Sequence, residues 1–242
     1  MNQVRRDIHS AKVPKLCIAC EARHGGVCGA LNPTELLRIS DFTTIRTLPA
    51  GTPLIAQGEA PKLYSNILSG VVKLTKLLSD GRQQIVGLQF APDFVGRPFE
   101  DSSMLSAEAA TDVSLCQVPS GDFEKMMMEF PGLEVRLHQQ SLRALDDAQE
   151  WLLTLGRRTA REKVAAFLMF IVEHAEPGAA PDADPRIELP LTRAEMADML
   201  GLTIETVSRQ LTALSNDGVI ERAKGRIVIV RNLQRLFNEV GH

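Results

Sequence analysis

The chain has 242 residues, 44% of them hydrophobic and 24% charged, with a formal net charge of −3. Those totals suit a globular protein of one large or two modest domains, and they exclude bulk electrostatic attraction to nucleic acid or anionic lipid. No apolar run reaches the ~20 residues of a membrane span, and "MNQVRRDIHSAKVPK" has no apolar segment behind its basic residues, so neither a membrane partner nor secretion is expected. The cytoplasm, where thiols stay reduced, is the expected compartment.

Residues 1–30 read as polar and irregular. They hold three of the four cysteines, in "CIACEARHGGVC": Cys17, Cys20 and Cys28. The fourth, Cys116, lies far down the chain. Spacing alone leaves several chemistries open. With His24 the first three would complete a tetrahedral zinc site; an iron–sulfur site and a thiol switch use the same donors, and Cys116 alone would pass for a core thiol.

"LNPTELLRIS" (31–40) predicts one short helix. Residues 43–120 then alternate β-rich runs with turns at Gly51, Gly58, Gly70, Gly81 and Gly96, the pattern of an antiparallel sandwich or roll. "SDGR" between "VVKLTKLL" and "QQIVGLQF" predicts a hairpin, with Asp-Gly suited to a primed two-residue turn.

Residues 131–156 predict a long helix, opened by a Pro and ending at Gly156. Leu142, Leu145, Ala148, Leu152 and Leu155 recur at three and four residues, as a seam for a partner helix requires. Asp146 and Asp147 beside it would oppose pairing with a second copy, like charge facing like. A further helix begins at Thr159, whose Glu162 completes a capping-box pattern, with Val164, Phe167, Leu168 and Ile171 on its apolar face. "AEPGAAPDADPR" breaks the pattern as a surface loop.

"LTRAEMADMLGLTIETVSRQLTALSNDGVI" predicts a helix-turn-helix. Thr192 and Glu195 cap the first helix, and Gly201 allows a left-handed turn. Thr203 caps a second helix whose Val207, Leu211 and Leu214 face inward. Glu205, Ser208, Arg209 and Thr212 share the opposite face. Arg209 suits guanine, Glu205 suits cytosine, and Ser208 suits base or phosphate; Thr203 and Thr206 stand at the helix N-terminus, where phosphate is attracted. "RAKG" between "VIE" and "RIVIV" predicts a two-stranded wing with Arg222, Lys224 and Arg226 at its tip, near a phosphate backbone. Residues 156–242 carry equal numbers of basic and acidic side chains, so such a surface must be local. No Walker loop or nucleophile elbow is present, so no enzyme is expected.

This layout resembles the Crp/Fnr family of bacterial transcription regulators across nearly the whole chain. The resemblance implies an α+β fold with four parts. They are a cysteine-rich segment (1–30), an antiparallel β-roll of the cupin-like sensor kind (31–130), a dimerisation helix (131–156) and a winged helix-turn-helix (157–242). "GLTIETVSRQL" is similar to the Fnr branch, in which the positions of Glu205, Ser208 and Arg209 read a TTGAT half-site. That implies a homodimer on palindromic promoter DNA. It also implies contact with RNA polymerase, in part through the hairpin Ser79–Gln84. Members that bind cAMP carry an acidic residue where Pro98 stands here, and an arginine that is missing between Arg97 and Arg136, so cAMP is not expected. Fnr-type oxygen sensors hold a [4Fe-4S] cluster on four cysteines, which correspond here to Cys17, Cys20, Cys28 and Cys116. The seven residues between Cys20 and Cys28 exceed the best-known Fnr spacing by two.

Overall fold

The computed structural model describes residues 13–14, 17–18, 20, 23–178, 180 and 183–241. Residues 1–12 of the cysteine-rich segment and 179, 181 and 182 of the predicted surface loop lie outside them. The chain divides into two compact units, Met1–Leu145 and Asp146–His242.

In the first unit the cysteine segment ends in a 3₁₀ turn, Val27–Ala30, and is followed by α1 (Pro33–Ser40). The Asn32 side chain and Glu35 form a reciprocal capping box that fixes where α1 starts. Eight strands follow: β1 (Thr44–Leu48), β2 (Pro53–Ile55), β3 (Leu63–Ser69), β4 (Val71–Leu77), β5 (Gln83–Phe90), β6 (Phe94–Val95), β7 (Ser106–Ala109) and β8 (Val113–Pro119). They form two antiparallel four-stranded sheets, β1-β8-β3-β6 and β2-β7-β4-β5, giving the expected roll. Between the sheets, Ile67 and Leu115 pack with Val72, Ala107 and Ala109. The β4–β5 loop differs from expectation. Only Gly81 has positive φ, and its N–H donates to Leu78 O while Leu78 N–H donates to Arg82 O. Three residues therefore make the turn, because a primed turn centred on Asp80-Gly81 needs positive φ at Asp80, which Asp80 does not supply.

β3 and β8 are buried on both faces, which decides where the cysteine segment goes. Alternation turns Ile67 and Leu115 into the roll and Tyr64, Asn66, Cys116 and Val118 out of it. The outward face is covered by α1, by α2 (Ser120–Glu129, not foreseen from the sequence), by the cysteine segment and by the start of α3 (Pro131–Arg157). Val27, Tyr64, Phe123 and Leu133 form one cluster there, with Phe94 stacked on Phe123 at 4.7 Å between ring centroids. Full burial of such side chains contributes about 1.5–3 kcal/mol each.

The α3 helix enters the second unit at Asp146 and runs on through Gly156 to Arg157. Leu142, Leu145, Ala148, Leu152 and Leu155 are all exposed on it, Leu152 by 72%. Asp147 departs from its expected place. At ~100° per residue it stands across the helix from Leu145 and Leu152. It lies on the side where Trp151 meets Phe170 edge-on at 5.4 Å and Thr154 is buried. Desolvation pushes its carboxyl up, against the pull of His174. Asp146 alone flanks the leucine seam.

The second unit continues with α4 (Ala160–Ala175), β9 (Arg186–Glu188), α5 (Arg193–Leu200), α6 (Ile204–Asn216), β10 (Ile220–Arg222), β11 (Ile227–Val230) and α7 (Leu233–Glu239). Capping boxes at Thr159 and Thr192 form as expected, and Gly201 closes α5 at φ +60°. Val207, Leu211 and Leu214 are fully buried. The wing has a third strand, β9, paired to β11, which the sequence reading missed because three residues carry too little periodicity. Arg161 binds Glu239 through two bonds of 2.6 and 2.8 Å and Asp217 at 2.7 Å, tying α7 to α4 and α6. Among the described residues, no helix is long and apolar enough to cross a membrane.

Gly70 joins β3 to β4 at φ +86°, and a Cβ there would stand 2.2 Å from the Asp112 carbonyl oxygen. Gly70→Ala is expected to lower the stability of the roll by at least about 2 kcal/mol in denaturant unfolding, since both backbone strain and overlap oppose it.

Candidate cofactor pocket and nucleic-acid interface

The four cysteines, up to 99 positions apart in sequence, line a single pocket. The first two arrive on consecutive tight turns: Cys17 N–H donates to Pro14 O, Cys20 N–H to Cys17 O, and Arg23 N–H to Cys20 O. Cys28 sits in the 3₁₀ turn. Cys116 lies mid-sheet on β8, paired with Ile45 on one side and Asn66 on the other. Apart from Arg23, Thr43 and Asn66, the remaining lining is aliphatic: Ile39, Ile45, Leu68 and Val118. His24 is exposed and is not part of this lining, so a zinc set completed by His24 is not assembled. Among the described residues, no three His, Cys, Asp or Glu side chains are grouped to hold one metal ion.

All four cysteines are free thiols. Burial pushes Cys17 up to about 11, with Cys20 adding to the rise and Arg23 opposing it. Cys116 is likewise pushed up to about 11 by burial, then by Cys20 and Cys17. Cys28 is raised further, by burial first and then by Cys116, Cys20 and Cys17. Neighbouring thiolates would thus oppose ionisation of Cys17, Cys28 and Cys116 unless a cation compensates them. Asn66 is 3% exposed; its Nδ2 approaches Cys28 Sγ at 3.8 Å, while its buried Oδ1 has no partner. An unmet buried acceptor costs about 1–3 kcal/mol. Soft sulfur donors around a mostly apolar pocket, with an amide beside one sulfur, fit a four-thiolate iron–sulfur cluster.

The cysteine segment packs against the start of α3. Val27 and Leu31 pack with Leu133, and Cys28 and Leu137 border the same cluster. A Cβ on Gly132 would lie 3.1 Å from Ala30 Cβ, and one on Gly29 would lie 3.2 Å from Arg136 Nη2, so loop and helix are in close contact.

In the second unit, α6 presents an exposed N-terminal turn. Thr203 Oγ1 accepts from Thr206 N–H, and the exposed Arg209 reaches back to Thr206 Oγ1 at 3.3 Å. The Glu205 carboxyl is held down by its own backbone amide and by Thr203. Ser208 O accepts from the Thr212 hydroxyl, which in turn accepts from Arg222 at 3.3 Å, so Arg222 leans from β10 onto α6. Arg226 turns to the Pro190 carbonyl at 3.3 Å, leaving Lys224 exposed at the hairpin tip without its two expected neighbours. Arg193 was missed. It occupies the first turn of α5, where burial and then the charge of Arg222 lower its pKa. Among the described residues neither arginine has an ion pair, and two like charges held together attract an anion. Its position directly after the cap Thr192 was the available signal.

A roll of two antiparallel sheets, a long helix and a three-stranded winged helix-turn-helix define a regulator that binds DNA through its C-terminal unit. Residues 45–130 match the cyclic nucleotide-binding domain family, and residues 162–238 match the Crp-like helix-turn-helix domain. The chain is 52% identical to a probable transcriptional activator of Rhizobium leguminosarum bv. viciae, over 98% of each chain. It is 40% identical to the transcriptional activator protein FnrL of Cereibacter sphaeroides, over 93% of this chain and 92% of that protein. The solved structure of FixK2 from Bradyrhizobium japonicum superposes with a TM-score of 0.73 at 32% identity, covering 83% of this chain and 98% of that one. The chain belongs to the Crp/Fnr family, whose members are transcription regulators and not enzymes.

Metal-free protein should show how deeply the thiols are held. With Cys17 and Cys116 near 11, alkylation at neutral pH is expected to run about 100-fold slower than at an ordinary thiol, because only the thiolate reacts. Peptide mass spectrometry after timed iodoacetamide treatment measures this; ordinary rates at both sites would contradict the burial described.

Proposed function

We propose that this chain is an oxygen-responsive transcription regulator whose cysteine pocket takes a [4Fe-4S] cluster. The observation that carries this is the meeting of Cys17, Cys20, Cys28 and Cys116 around one pocket. These four thiols would hold the cluster, which supplies iron that reacts with oxygen. The raised pKa values of Cys17, Cys28 and Cys116 favour this over direct thiol oxidation, since a protonated thiol is a poor nucleophile and metal binding removes the proton. Ligation would tie the N-terminal loop to β8 and press Val27 and Leu31 against Leu133 at the start of α3. Loss of the ligation in oxygen would free that contact, coupling the pocket to the helix.

On α3 the exposed Leu142, Leu145, Ala148, Leu152 and Leu155 form the seam of a homodimer, with Asp146 opposing pairing at its edge. Asp147, on the opposite side of the helix, contributes little to that repulsion. Dimerisation would bring two copies of α6 to a TTGAT-type palindrome. Glu205, Ser208 and Arg209 would read bases there, while Thr203, Thr206, Arg193, Arg222 and Lys224 would contact phosphates. Thr212 supports Arg222, and Arg226 braces the wing through Pro190. The exposed Ser79–Gln84 hairpin remains the surface proposed for RNA polymerase. The roll is not proposed to bind cAMP, since Pro98 replaces the acidic residue expected there.

Protein purified without oxygen is expected to be brown, to contain iron and sulfide, and to shift a TTGAT palindrome. Air should remove both the colour and the binding. Equal binding with and without air, or zinc as the only metal, would sink the oxygen switch. Arg209→Ala is expected to cost about 1–3 kcal/mol of specific binding and to relax preference at the guanine it reads, measured by titration on matched and substituted sites.

A further inference from the structure

We propose that Asn66 is a positioning residue of the cysteine pocket, its side-chain N–H donating to the Cys28 sulfur when that sulfur is a metal-bound thiolate; this rests on the cluster reading above. Three features lead to it. Asn66 faces out of the roll because it pairs with Cys116 in the β3–β8 ladder, so one residue stands beside two of the four sulfurs. Its Nδ2 is 3.8 Å from Cys28 Sγ. Its Oδ1 is buried and unpartnered, so the amide is poorly satisfied by the rest of the protein.

A buried amide with one unmet group is a liability in a metal-free fold. The same amide is useful beside a thiolate, because an N–H aimed at sulfur stabilises the negative charge that ligation leaves there. Position 66 is thus better suited to the loaded pocket than to the empty one. An aliphatic residue of the same size would suit the empty pocket better. Such opposition separates a residue that serves the cofactor from one that only packs.

The test compares wild type, Asn66→Leu and Asn66→Asp, each reconstituted anaerobically with ferrous iron and sulfide. Chelator-driven decay of the visible absorption is followed, together with the melting temperature of the metal-free protein. Asn66→Leu is expected to lose its chromophore about 10-fold faster than wild type, the usual scale for removing an outer-shell partner. Its metal-free melting temperature should stay level or rise. Asn66→Asp should decay faster still, because it removes the donor and adds a negative charge. A Leu variant that decays at the wild-type rate overturns the inference while leaving the cluster reading intact. So does one whose metal-free melting temperature falls in step with faster decay, since that marks a packing role. A wild-type protein that never takes up iron and sulfide removes both the cluster reading and this inference.

Discussion

The first unit depends on one sheet being buried on both faces. Strands β3 and β8 send Ile67 and Leu115 into the roll, and Tyr64, Asn66, Cys116 and Val118 to the other side. The inner set closes the roll. The outer set would be an exposed apolar face were it not covered, and its cover is made of the cysteine segment, α1, α2 and the first turns of α3. Cys116 and the N-terminal cysteines therefore meet as a consequence of core formation. The same layer of side chains that stabilises the unit connects the pocket to the helix.

The pocket is arranged against itself in the absence of a cation. Four thiols are brought together where water is scarce, so Cys17, Cys28 and Cys116 are each harder to ionise than a free cysteine, and Cys28 most of all. Asn66 adds a buried amide with an unmet oxygen. A fold tolerates such a concentration of poorly satisfied groups when something else satisfies them, and soft metal chemistry is what sulfur donors in apolar surroundings suit. Arg23, in the segment between Cys20 and Cys28, lines the pocket, where its charge opposes the rise in the Cys17 pKa.

The second unit is built on local rules more than on distant ones. Reciprocal caps at Thr159 and Thr192, the left-handed Gly201 and the buried stripe of α6 each follow from a few neighbouring residues. The charges on its surface do not. Arg222 was expected at the wing tip and instead leans on Thr212; Arg226 was expected beside it and is spent on Pro190; Arg193, from another helix, comes to lie beside Arg222. Long flexible cations settle wherever a carbonyl, hydroxyl or anion is within reach, and that depends on which elements are adjacent in space.

The sequence by itself determined the roll, the long helix, the caps and the helix-turn-helix, because periodicity, turn residues and capping pairs act over a few positions. It also supplied the four cysteines as candidates, but their spacing left zinc, iron–sulfur and a thiol switch open. Tertiary structure decided that Cys116 faces the other three while His24 does not, since a strand's alternation assigns a face only once its partners and register are fixed. It decided as well that the side of α3 carrying Asp147 is the one where Trp151 packs on Phe170, and that Asn66, unremarkable in "LYSNILS", is buried beside two sulfurs. Those outcomes depend on contacts between residues far apart in the chain, which no local pattern encodes.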